Sequence, residues 1–98
     1  MNKMSPEYTI SYSARAKQNL ENIALGIYEF TLNLTTADNV INRIRSGIDN
    51  LNMFPERGSQ GVIEGTREIY LGGYRIVYRI EESVIRIITI IHCSRLYP

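Results

Sequence analysis

Cysteine, histidine and long apolar runs are scarce in this chain, and each shortage closes off a class of explanation. Cys93 is the single cysteine, so no internal disulfide can form; with His92 as the single histidine, the two cannot build a zinc site. The longest apolar run, Ile87 to Ile91 with Thr89 inside it, is far too short to cross a bilayer. The opening Met1-Asn2-Lys3-Met4 has no apolar segment behind its lysine, so no signal peptide is expected and a cytoplasmic protein is. An excess of charge is missing too: the formal net charge is +1, which argues against holding nucleic acid by bulk electrostatics alone. No glycine-rich loop opens a helix after a strand, and no serine stands in a nucleophile motif. Glu81-Glu82 reads as a solvated turn and not as a catalytic carboxylate pair. Neither a cofactor, a small-molecule substrate nor a membrane is expected.

What is present is enough for one domain. A chain of 98 residues, 44% of them hydrophobic, buries roughly 60–70% of the surface that it exposes when unfolded. Tyr8-Thr9-Ile10-Ser11-Tyr12 alternates apolar and polar, the pattern of a strand. Ser13 follows as a helix N-cap, and Ala16, Leu20, Ile23, Ala24, Ile27, Phe30 and Leu34 recur at helical steps behind it. Asn33-Leu34-Thr35-Thr36 is the break, with Thr36 as the second cap. The next apolar stripe runs Ala37, Val40, Ile41, Ile44, Ile48, Leu51, and Gly47 costs that helix up to about 1 kcal/mol relative to alanine. Two helices with a short connection pack as an antiparallel hairpin.

Pro55 ends the helical region, and Arg57 to Gly61 is loop. Glu68 to Leu71, Tyr74 to Ile80 and Val84 to His92 then read as three antiparallel strands, the first pair joined by a Gly72-Gly73 turn. The order β-α-α-β-β-β predicts an α+β domain over 1–98: an antiparallel four-stranded sheet with an N-terminal helical hairpin packed on one face.

Alternation along strands assigns side chains to faces. Tyr74, Ile76, Tyr78 and Ile80 share the helix-facing side, which leaves Arg75, Val77 and Arg79 on the other. If Arg86 also points away from the core, Ile88, Ile90 and His92 go with it, while Ile85, Ile87, Thr89 and Ile91 turn inward. The far face then carries Val77, Ile88 and Ile90 fringed by Arg75, Arg79, Arg86 and His92, with no third layer to cover it. Exposing those three side chains forgoes roughly 1.5–3 kcal/mol each. Either Leu96-Tyr97-Pro98 or the chain around Pro6 folds back over them, or a second polypeptide binds there, through Val77, Arg79, Arg86, Ile88 and Ile90. The second expectation is the one favoured.

Adjacent strand residues face opposite ways, so His92 cannot activate Cys93, which reads as core packing. Arg75, His92, Arg95 and Tyr97 remain. Arginines clamp phosphate in two-pronged fashion and histidine exchanges a proton near neutral pH, so this set could position and cleave a phosphodiester. The bland alternative is a histidine that only caps the end of a strand.

The order of these elements, and several motifs in turn, resemble the RelE/ParE superfamily of toxins from bacterial type II toxin–antitoxin pairs. The matching pieces are Tyr12-Ser13-Ala14-Arg15-Ala16, Leu51 through Pro55-Glu56-Arg57-Gly58, Thr66-Arg67-Glu68-Ile69, Tyr74-Arg75-Ile76-Val77-Tyr78, and Ile88-Thr89-Ile90-Ile91-His92-Cys93-Ser94-Arg95. The resemblance spans almost the whole chain. It implies a cognate antitoxin as partner. It also implies one of two activities: poisoning of DNA gyrase by protein contact in ParE-like members, or ribosome-dependent cleavage of mRNA in RelE-like ones. For the second, Arg75, Arg95 and either His92 or Tyr97 match the active-site positions, but Glu68 and Tyr70 stand about where RelE carries a lysine pair. For the first, the long helical hairpin and the ending Ile90-Ile91-His92-Cys93-Ser94-Arg95 match. The ParE-like reading is preferred; an inactive or repurposed relative is the third alternative.

Overall fold

A computed structural model describes residues 7–98. In chain order the elements are β1 (Thr9–Tyr12), α1 (Ala14–Thr31), α2 (Leu34–Asp49), a 3-10 turn (Asn50–Asn52), β2 (Ser59–Gln60), β3 (Arg67–Leu71), β4 (Tyr74–Glu81) and β5 (Val84–His92). The predicted helices and the last three strands are all present.

Each helix begins where a side-chain oxygen meets an orphan backbone N–H. Ser13 Oγ accepts from Ala16 N at 3.0 Å to open α1, and the same hydroxyl donates to the Ile88 carbonyl at 2.7 Å. One serine thus caps a helix and ties it to the last strand. The second cap is Asn33 and not Thr36. Asn33 Oδ1 accepts from Thr36 N at 3.0 Å while the Asn33 backbone stays extended, so Thr36 already lies inside the helix. The helical stripe also ran too far: Phe30 and Leu34 flank the tight connection and are 90% and 66% exposed.

The sheet has five strands, in the order β1-β5-β4-β3-β2, and it is mixed. β1 pairs with β5 in parallel, from Thr9 opposite Val84 to Tyr12 opposite Ile87. The expectation of four antiparallel strands is corrected in two places. No hairpin joins β1 to β5, so nothing forces them antiparallel; α1, α2 and the later strands supply the long connection that parallel neighbours need. The fifth strand, β2, is two polar residues in a stretch that carries no alternation to reveal it.

The core lies between the hairpin and one face of the sheet. Ala16, Leu20, Ile44, Ile48 and Leu51 meet Ile69, Ile76, Tyr78, Ile85, Ile87 and Ile90. Gly47 brings α2 close to the sheet: a Cβ there would stand 2.5 Å from Leu71 Cδ1. The glycine that weakens the helix is the one that lets Leu71 pack against it. Gly72 and Gly73 take positive φ angles of 55° and 89° in the β3–β4 turn, as the sequence required.

Candidate functional site

Whether Arg75, His92, Arg95 and Tyr97 form one site depends on the pairing of β4 with β5. That pairing is regular from Glu81 opposite Val84 to Tyr78 opposite Ile87, and then slips: Val77 stands opposite Thr89. Ile88 is the extra residue of a β-bulge, and a one-residue insertion reverses the alternation beyond it. Ile85 and Ile87 face the helices before the bulge, and Ile90 faces them after it. The prediction that Ile90 and His92 look outward with Arg86 is therefore overturned. Ile90 is 1% exposed in the core, and Ile91, expected inside, stands opposite Arg75.

The bulge is fixed by α1. Asn19 Oδ1 accepts hydrogen bonds from Ile90 N and from Thr89 Oγ1, both at 2.9 Å. Beyond the end of β1 this stretch of β5 is paired with β4 alone, and the asparagine takes the place of a strand on the open side. Nothing in its sequence context marks Asn19 apart from a surface position on α1.

His92 lands on the helix side, opposite Tyr74, with the two rings edge to face and their centroids 5.4 Å apart. Its Nδ1 accepts from Ser94 N at 3.1 Å and lies 2.8 Å from Ser94 Oγ. With Nδ1 held as an acceptor in a local turn, the imidazole behaves as the strand-end cap that was the blander expectation. Arg95 joins it at the rim of an open groove of about 700 Å³ between the second half of α1 and the end of β5. Ile23, Ile27 and Phe30 line the other wall.

Arg75 lies on the opposite face, and so is not joined to His92. Its guanidinium carbon sits 5.7 Å from the Tyr70 ring centroid and 5.9 Å from that of Tyr97. Its Nε is buried without a hydrogen bond, 3.6 Å from Glu68 Oε1. Glu68 is itself buried, accepting from Val62 N at 3.1 Å and from Tyr70 Oη at 3.2 Å. The sequence places Glu68 at the start of a strand and where RelE carries a lysine, but gives it no partner; it is the hub that fastens the 61–66 loop to the sheet.

The far face is not the bare oily platform that alternation predicted. Val77 is fully buried between Glu68 and Thr89, both buried as well, and Ile90 is in the core; only Ile88 keeps partial exposure. Arg79 and Arg86 do share this face, directly opposite one another. Arg86 Nε reaches Glu81 Oε1 at 3.3 Å, a half-exposed contact worth little. Of the two fold-back routes, the C-terminal one brings Tyr97 only to Arg75 while Leu96 stays exposed, and the one around Pro6 lies outside the described residues. Cys93, expected in the core, is exposed because the strand has ended; its N–H donates to the Gly73 carbonyl.

The Pro55–Gly58 loop is held by a buried phenol. Tyr78 Oη donates to the Pro55 carbonyl at 2.7 Å and accepts from Gly58 N at 2.9 Å. Any Cβ on Gly58 would come within 2.7 Å of that hydroxyl. Arg67 Nη1 adds bonds to the carbonyls of Gly58 and Glu56. Burial raises the Tyr78 pKa above the ordinary phenol value, the bond from Gly58 opposing it. Burial likewise raises Tyr12, against the nearby Arg45 guanidinium. Among the described residues no group of acidic, histidine or cysteine side chains could hold a metal ion, and no helix is long and apolar enough to cross a membrane.

A family model for the ParE toxin of the type II toxin–antitoxin system parDE matches residues 10–97. A candidate toxin of Sinorhizobium fredii, Y4kP, is 34% identical over 91 residues, which cover 91% of this chain and 92% of that protein. In structure the chain is similar to one from the chromosomal ParDE system of P. aeruginosa, with a TM-score of 0.79 at 17% identity over 90% of this chain and 98% of that one. It is also similar to a substituted E. coli RelE toxin in its free state, with a TM-score of 0.65 at 17% identity over 91% and 86% of the two chains.

Proposed function

The chain belongs to the family of ParE toxins of type II toxin–antitoxin systems, and from that premise we propose that it arrests growth by binding DNA gyrase and is silenced by a cognate antitoxin. The observation that carries the gyrase reading over RNA cleavage is the bulge at Ile88. It sends His92 and Arg95 to the helix side while Arg75 and Tyr97 stay on the far face. General acid–base cleavage needs its proton carrier within hydrogen-bond reach of the reacting group that the arginine clamps. Here the histidine is turned away, its Nδ1 already engaged, and Arg75 is committed to a buried carboxylate and two phenol rings. A protein that acts by contact needs no such convergence.

The antitoxin fits the apolar surface that is left open. Phe30, Leu32 and Leu34 are 90%, 75% and 66% exposed around the helical connection, beside the groove that ends at His92 and Arg95. An uncovered apolar patch with a polar rim is the common mark of a protein partner.

The decisive measurement is supercoiling by purified gyrase with increasing toxin, run beside cleavage of message on translating ribosomes with the same preparation. Inhibited supercoiling or trapped cleaved DNA, with intact message, is the expected pair of results. Cut message with unaffected gyrase would reverse the assignment. For the antitoxin, Phe30→Ser is expected to weaken its binding with little change in the toxin's melting temperature.

A further inference from the structure

The last six residues, Cys93 to Pro98, leave the sheet on its helix side and end on the other. The crossing begins in a turn, in which the N–H groups of Ser94 and Arg95 donate to the ring and carbonyl of His92. From there the chain is exposed at every residue but one: Leu96 is 97% exposed, and only Tyr97 is partly buried. What Tyr97 rests on is the Arg75 guanidinium, 5.9 Å from its ring centroid, which has Tyr70 on another side and Glu68 within 3.6 Å of its Nε. Arg75 is itself immobilised: its side chain is 18% exposed, and the carboxylate beside it is anchored by Val62 and Tyr70.

We propose that Arg75 is a positioning residue acting through Tyr97: the pair latches the C-terminal tail around the end of the sheet, and the latched tail is the shape that the toxin's protein target meets. This rests on the reading of the chain as a toxin that acts by contact. Arg75 touches no target in this scheme. It holds the exposed residues that follow the His92–Arg95 turn in a fixed shape, which lowers the ordering cost of binding. A guanidinium over a phenol ring at a partly exposed site shifts the closed–open balance of the tail about two- to five-fold.

Amide hydrogen exchange at Ser94 and Arg95, with gyrase inhibition and melting temperature measured on the same proteins, tests this. Tyr97→Ala and Arg75→Gln are expected to speed exchange at both amides about two- to five-fold and to weaken inhibition. Tyr97→Ala should leave the melting temperature unchanged, because that ring contributes nothing to the core. Tyr97→Phe keeps the ring and should restore both slow exchange and inhibition. Unchanged exchange in Tyr97→Ala overturns the latch, and faster exchange with undiminished inhibition overturns its role in target binding. If the wild-type protein inhibits no gyrase, the contact reading fails, and the exchange measurements still decide the latch.

Discussion

Tyr78 shows how much one side chain can hold in so small a protein. Its ring is fully buried, and its hydroxyl closes the Pro55–Gly58 loop with one donated and one accepted bond. Tyr78→Phe keeps the ring but strands the Gly58 N–H and the Pro55 carbonyl, which should cost about 1–3 kcal/mol. Thermal unfolding would register this as a loss of about 4–8 °C per kcal/mol for a domain of this size. The same phenol, with Tyr12, sets an alkaline limit. Burial holds both pKa values above the ordinary 10.0. Above pH of about 10 the unfolded chain has therefore released protons that the folded one keeps. The stability that these phenols contribute is complete below that pH and is lost as pH rises through the folded values. Denaturant midpoints measured from neutral pH upward should stay flat and then fall, with a shallower fall in Tyr78→Phe. A flat profile through the alkaline range would show that neither phenol is held in the fold.

At the scale of elements, the helices could be read from spacing because their apolar stripes meet the sheet, although Phe30 and Leu34 carry the first stripe on into the exposed connection. Strand boundaries were legible for the same reason in β4, whose core positions Ile76 and Tyr78 alternate with Arg75, Val77 and Arg79. The last strand was legible in extent but not in orientation. Val84 to His92 is apolar at almost every position, so no alternation was available to reveal the slip at Ile88, and no glycine marks the bulge. That slip also accounts for apolar residues on both parities of the run. Ile85 and Ile87 fill the core on one parity and Ile90 on the other, while Ile88 is the inserted residue between them. Substituting Ile90 by serine is thus a core lesion and not a test of partner binding. The sequence gives no warning of Asn19, since its work is done on a distant strand. Asn19→Ala leaves the Ile90 N–H and the Thr89 hydroxyl without their acceptor, both on buried residues. A loss of about 1–3 kcal/mol is expected, with most of it recovered in Asn19→Asp, which keeps an oxygen in place. Equal losses in the two variants would mean that packing, and not the two hydrogen bonds, holds α1 to the bulge.

Taken as a whole molecule, the protein is close to electroneutral, and two of its three far-face arginines stand beside carboxylates. Among the arginines of the far face, Arg75 lies beside Glu68 and Arg86 is bound to Glu81, which leaves Arg79 as the one with no ion pair there among the described residues. A toxin that gripped RNA through all three would neutralise about three phosphates, and its potency would fall about twenty-fold between about 50 and 200 mM salt. One that meets a protein surface releases no condensed counterions, and at a net charge of +1 its salt dependence should be shallower. Titrating target inhibition across that salt range therefore reads the mode of action without any mutation. A shallow dependence is the result expected for contact with gyrase. A steep one would mean that the far-face arginines leave their carboxylates to meet a polyanion, and the partition of charge seen in the fold would then describe only the resting toxin.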